Sequence, residues 1–169
     1  MEFKKQPFIP MLFGGDINTY SVARAFYEEY QVKTYVFGKF PSGPSYNSNI
    51  IEYHANLKID TDEVFMQTVR DFAAAHADKT VLTIGCGDSY VALCSRHKDE
   101  MPENVIAPYI DFELMDRLQQ KELFYRLCRE HDIDFPDTLV FRHGMDLDFE
   151  LPFSFPVILK PSNSVMYWE

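Results

Sequence analysis

A chain of 169 residues with 46% apolar side chains can bury one sizeable core, which excludes disorder and leaves room for one domain plus part of a second. A formal charge of −10 without any cluster of Lys and Arg excludes a phosphate-backbone binder, and so a nucleic-acid partner. Cys86, Cys94 and Cys128 are odd in number and lack paired spacing, which sets aside cysteine metal sites and fits reduced thiols.

The first apolar run is broken by Pro10 and too short for a signal-peptide core, and no stretch approaches a membrane span, so the expected location is cytoplasmic. Ile9 to Phe13 reads as a strand ending at Gly14-Gly15, after which Asn18 is expected to cap a helix from Thr19 to Tyr30. Val22, Ala23, Phe26, Tyr27 and Tyr30 give that helix its buried face. Thr34 to Phe37 is a second strand closed by Gly38, followed by a polar loop to Asn49 and a third strand over Ile50 to His54. Asp60 and Glu63 resemble a capping box opening a helix whose Val64, Phe65, Thr68, Val69 and Phe72 share a face. Thr80 to Ile84 is a β-branched run of the kind buried in parallel sheets, and it stops at Gly85-Cys86-Gly87 before a helix from about Ser89 to Lys98.

Strands alternating with helices predict an α/β, Rossmann-like parallel sheet with helices on both faces. Ligands of such sheets gather at the carboxyl ends of the strands, where Gly14, Gly15, Asp16 and Asp88 fall. Gly14-Gly15-Asp16 lacks the GxGxxG spacing, so its default reading is a tight strand-to-helix turn, and the functional alternative is a substrate pocket. Gly85-Cys86-Gly87-Asp88 is similar to the turn of class I methyltransferases, but Ser89 and Tyr90 stand where a further glycine is needed. The five histidines are dispersed without metal-ligand spacing.

After Pro108 the pattern changes to a long helical stretch from Asp111 to His131, a strand from Thr138 to Phe141, a polar turn from Arg142 to Glu150, and a final strand from Pro156 to Lys160. Two helices and two strands do not close a core of their own. Residues 1–108 are therefore expected to form the Rossmann-like domain, and 109–169 the start of a second domain that continues past Glu169. Lys121 falls on the apolar face set by Leu114, Leu118, Phe124, Tyr125 and Cys128. Its plain reading is a snorkelling stem, and its functional reading is a phosphate contact. Lys160 ends an apolar strand against Pro161, as solvated terminators and cleft residues both do.

The run Leu114 to Cys128, then Ile133 to Thr138 with Pro136, then Phe155 to Pro161, resembles the ATP-grasp superfamily, in which a Rossmann-like domain precedes a nucleotide clamp. The opening run Phe13 to Phe26 is similar to that of the peptidoglycan D-aspartate ligases and related carboxylate-amine ligases. The resemblance implies ATP and Mg²⁺ as cofactors, with Lys121 and Lys160 on the nucleotide. The metal ligands and phosphate loop are then expected beyond residue 169, so residues 1–169 alone are expected to be inactive. An amino acid and an amine are the implied substrates, while oligomeric state leaves no mark in the sequence. The alternative is a stand-alone doubly wound module that binds a small ligand or a protein without catalysis.

Overall fold

A computed structural model describes residues 2–146, 148 and 150–162. Of the expected polar turn over residues 142–150, Leu147 and Phe149 lie outside the described residues, as does everything after Ser162. Two compact units, residues 1–115 and 116–169, divide the chain.

The first unit is built on β1 (Phe8–Phe13), β2 (Thr34–Gly38), β3 (Ile51–Ala55), β4 (Thr80–Gly85) and β5 (Val105–Ile106), all parallel, in the order β3-β2-β1-β4-β5. The chain adds strands outward from β1 to β3 and then returns to the other side of β1, which makes the β1/β4 boundary a topological switch point. Helices α1 (Ile17–Tyr30), α2 (Gly43–Tyr46), α3 (Asp62–Ala75) and α4 (Asp88–Arg96) join the strands.

Alternation along β1 feeds two cores. Ile9, Met11 and Phe13 face Phe65, Val69 and Phe72 of α3 and Leu93 and Cys94 of α4. Leu12 faces the other way, with Val36 and Ile51, against Ala23, Phe26 and Tyr27 of α1. Helices thus cover both faces, the arrangement that the β-branched strands require. Phe13 is fully buried and its ring lies 4.6 Å from Phe65, 5.7 Å from Phe37 and 6.1 Å from Tyr90.

Several local expectations are corrected. Helix α1 is capped by Asp16, not Asn18: the Asp16 carboxylate accepts from the amides of Asn18 and Thr19, and an aspartate two residues earlier reaches both. No Asp60–Glu63 box forms, because Asp60 turns to Lys39 while Thr61 takes the cap position and donates its hydroxyl to Lys58 O. The stretch from Asp111 to His131 is two helices, α5 (Phe112–Gln119) and α6 (Lys121–Glu130), rather than one. Gln120 leaves the helical basin with ψ 109°, and the Lys121 amide donates to Ser162 O at 3.0 Å in place of a ladder bond. Leu114 and Leu118 therefore do not share one continuous face with Phe124, Tyr125 and Cys128.

In the second unit the strands expected at Thr138–Phe141 and Pro156–Lys160 are not formed among the described residues. An apolar run becomes a strand only by hydrogen bonding to a neighbour, and no ladder is available to these two among the described residues. Ile158 and Leu159 are accordingly 81% and 94% exposed. What orders this unit is α6, where Tyr125 stacks on Phe135 at 5.4 Å, Arg129 covers the same ring, and Glu122 pairs with Arg142. Among the described residues no helix is long and apolar enough to cross a membrane.

Two stability measurements test this account. Phe13→Ala empties the centre of the larger core and is expected to cost about 3–5 kcal/mol in urea unfolding. Asp62, at the start of α3, accepts from Arg96 Nη1 and His97 Nε2, each at 2.7 Å, and these bonds hold its pKa below the ordinary carboxylate value. A depressed pKa contributes stability above the unfolded value of about 3.9, and that stability is lost as pH falls through the native pKa. Asp62→Asn is thus expected to lower stability at pH 7 by about 1 kcal/mol or less, as for other exposed ion pairs. The difference from wild type should vanish in acid.

Candidate functional site

Three strand ends converge at the switch point. β1 runs into Gly14, β2 into Lys39 and β4 into Cys86, and between them opens a cleft of about 540 Å³. That volume lies within the range of small-molecule sites. Its rim is Gly14, Gly15 and Asp16 on one side and the loop from Lys39 to Pro44 on another, with Tyr53 and Tyr90 as aromatic walls.

The cleft exists because the backbone there is bare. Gly14 has φ +143°, and a Cβ on it would stand 2.3 Å from Thr19 Oγ1. A Cβ on Gly38 would stand 1.9 Å from the Tyr53 hydroxyl oxygen and 2.4 Å from Gly14 O. Only glycine permits both approaches. The Gly14 amide donates to Phe37 O at 3.0 Å, tying the end of β1 to the end of β2. The Tyr53 hydroxyl donates to Phe40 O at 2.8 Å, and Ser45 Oγ donates to Asp16 O at 3.3 Å. These two bonds fix the loop that follows β2.

Charge in the cleft is sparse. Asp16 has both oxygens engaged locally: Oδ1 accepts from the Asn18 and Thr19 amides and the Thr19 hydroxyl, and Oδ2 accepts from Asn18 Nδ2. Lys39 Nζ lies 2.6 Å from Asp60 Oδ2, with 42% of the Lys39 side chain exposed. Burial raises the pKa of Tyr53, and burial with Asp60 and Tyr53 nearby raises that of Tyr90 to about 12. Both phenols are therefore neutral donors at physiological pH. Cys86 is pushed to about 11 by burial, so it lines the cleft as a protonated thiol and is no nucleophile.

The sequence candidates distribute unevenly. Gly14, Gly15 and Asp16 line the cleft; Asp88 stands exposed in the first turn of α4 and is not among the lining residues. Lys121 opens α6, and the bond from its amide to Ser162 O brings it beside the segment that carries Lys160. The cavity found in that unit, about 200 Å³ between Tyr125, Arg129, Phe135 and Thr138, is lined by neither lysine. Lys39, Phe40, Tyr53 and Tyr90 were not singled out from sequence. Lys39 carries a signal close to the one read at Lys160, a lysine at the end of an apolar strand pattern, whereas Tyr53 carries none.

A D-aspartate ligase from Enterococcus faecium (strain Aus0004) is 41% identical over 171 aligned positions, spanning 97% of this chain. The chain is a relative of that ligase. It spans about two fifths (41%) of the ligase's length, so the match concerns a part of that protein. The solved structure of an L-amino acid ligase from Bacillus licheniformis matches with a TM-score of 0.53 at 17% identity, over 95% of this chain and 38% of that one. At that identity the match speaks for the fold, an α/β parallel sheet of the kind that ligase carries. No family model matches the chain.

The packing at Gly38 yields a direct test. Gly38→Ala is expected to destabilise by about 1–3 kcal/mol, the range for overpacking. Adding Tyr53→Phe removes the nearest atom of the clash and should recover part of the loss in thermal unfolding, but not all of it, since Gly14 O remains in the way.

Proposed function

We propose that this chain is part of an ATP-dependent carboxylate-amine ligase acting in the cytoplasm, with D-aspartate as the acid and a peptidoglycan precursor as the amine. The observation that carries this reading is the 41% identity to a D-aspartate ligase along 97% of the chain. Its physical support is a cleft of small-molecule size at the strand ends of a doubly wound sheet. In this reading residues 1–108 form the Rossmann-like domain and 109–169 begin an ATP-grasp domain.

A carboxylate is a poor electrophile, and ATP makes it a better one by converting it to an acyl phosphate, from which an amine displaces phosphate to form the amide. The residues described here bear on binding rather than on that chemistry. Gly14, Gly15 and Asp16 are the proposed substrate-pocket residues, with Asp88, in the chain between the lining residues Gly87 and Ser89, as a fourth. Lys121 and Lys160 are the proposed nucleotide contacts, as point charges on phosphate oxygens. Their fit to a nucleotide is partial: their segments adjoin, yet the cavity beside α6 is lined by neither. Among the described residues no group of His, Cys, Asp and Glu could hold a metal ion, so these residues do not fit Mg²⁺ and no step is assigned to one. The nucleotide loop and metal ligands of the reading belong to sequence beyond residue 169.

Full-length protein incubated with ATP and single amino acids is expected to release phosphate most strongly with D-aspartate when an amine acceptor is supplied. Absence of stimulation by any amino acid would remove the ligase reading. Residues 1–169 alone are expected to show weak ATP binding and no amide formation by mass spectrometry.

A further inference from the structure

Two ionised side chains border the cleft, and they are not equivalent. Asp16 turns both oxygens onto the start of α1, where four donors satisfy them. Lys39 is the one cation among the described lining residues. Its partner, Asp60, lies outside the lining, so the ammonium stands at the boundary between cleft and ion pair.

We propose that Lys39 holds a carboxylate of the acid substrate in this cleft, and that Asp60 is its resting counter-ion, released when that carboxylate arrives. The inference rests on the ligase reading and names a residue for it. Aspartate has two carboxylates; one becomes the amide, and the other stays ionised throughout and needs a counter-charge. Lys39 supplies that charge in a chain whose net charge of −10 otherwise repels an anion.

The geometry makes the exchange inexpensive. The Lys39–Asp60 pair is partly solvated, with side chains 42% and 32% exposed, and pairs of that kind contribute about 0–1 kcal/mol. Replacing one carboxylate by another keeps the ammonium paired, and the displaced Asp60, already about a third exposed, is left to solvent. The lysine stem swings, but its backbone does not, because Gly38 before it is wedged against Tyr53 and Phe40 after it is held by the Tyr53 hydroxyl.

The test uses full-length enzyme and the variants Lys39→Met, Lys39→Arg and Asp60→Asn, with D-aspartate and D-alanine as competing acids. Loss of a charge-assisted contact is worth roughly tenfold or more in affinity. Lys39→Met is expected to raise KM for D-aspartate about tenfold or more, with kcat changed far less, and to erase preference over D-alanine, which lacks the second carboxylate. Lys39→Arg should recover part of the loss. Asp60→Asn should leave KM for D-aspartate equal or lower, since it frees the lysine. A merely structural pair predicts the opposite pattern, with Lys39→Met and Asp60→Asn impaired alike and in step with their melting temperatures; that result, or a Lys39→Met KM within twofold of wild type, overturns the proposal. If wild-type enzyme turns over no acid at all, the ligase reading fails separately. NMR titration of the present chain with D-aspartate then decides the site: shifts at Lys39, Gly43 and Tyr53 that Lys39→Met abolishes uphold it, and their absence overturns it.

Discussion

The site depends on one constraint: at the ends of β1 and β2 the backbone must pass within contact distance of side chains from elsewhere, with no room for a Cβ. Gly14 and Gly38 meet that constraint together, since Gly14 O and the Tyr53 hydroxyl both press on Gly38. Tyr53 reaches that position because β3 pairs with β2 in a register that sets it opposite Val36. From there it holds the Phe40 carbonyl and so the loop bearing Lys39. Strand order, bare backbone and a single phenol together open the cleft.

The same strand ends are anchored from beneath. Phe13, the last residue of β1, is buried among Phe37, Phe65 and Tyr90, and the last of these also forms a wall of the cleft. Interiors packed at crystal-like density transmit displacement, so the core under Phe13 and the shape of the cleft are one mechanical unit. At the start of α3, the Asp62, Arg96 and His97 contacts tie that helix to the end of α4, whose first turn borders the cleft. The opening of α1 follows the same economy: Asp16 spends its charge on the helix start, leaving the ammonium of Lys39 as the charge that faces the opening.

The two units differ in how their apolar residues are used. In residues 1–115 every long apolar strand lies beside another strand and under a helix. In residues 116–162 the apolar segment around Ile158 and Leu159 stays exposed, and order comes from aromatic and cationic contacts along α6. Relationship to a much longer ligase gives this contrast a setting, since the chain spans 41% of that protein.

The sequence by itself determined the α/β class, four of the five strands and the glycine turns at the strand ends, because hydrophobic alternation and β-branched runs are local signals of burial. It also led to Gly14, Gly15 and Asp16 at the cleft, since glycine after a strand marks a tight turn wherever it occurs. The two-residue β5 was too short to show periodicity, and the strands read at Thr138–Phe141 and Pro156–Lys160 failed because a strand needs a partner that no local pattern can supply. Asn18 and Asp16 were equally plausible caps by type, and only the start of α1 chose between them. Tyr53 and Lys39 became visible through tertiary structure alone: what joins them to Gly14 is the lateral pairing of β1, β2 and β3, a relation between residues far apart in the chain that alternation along any one strand does not encode.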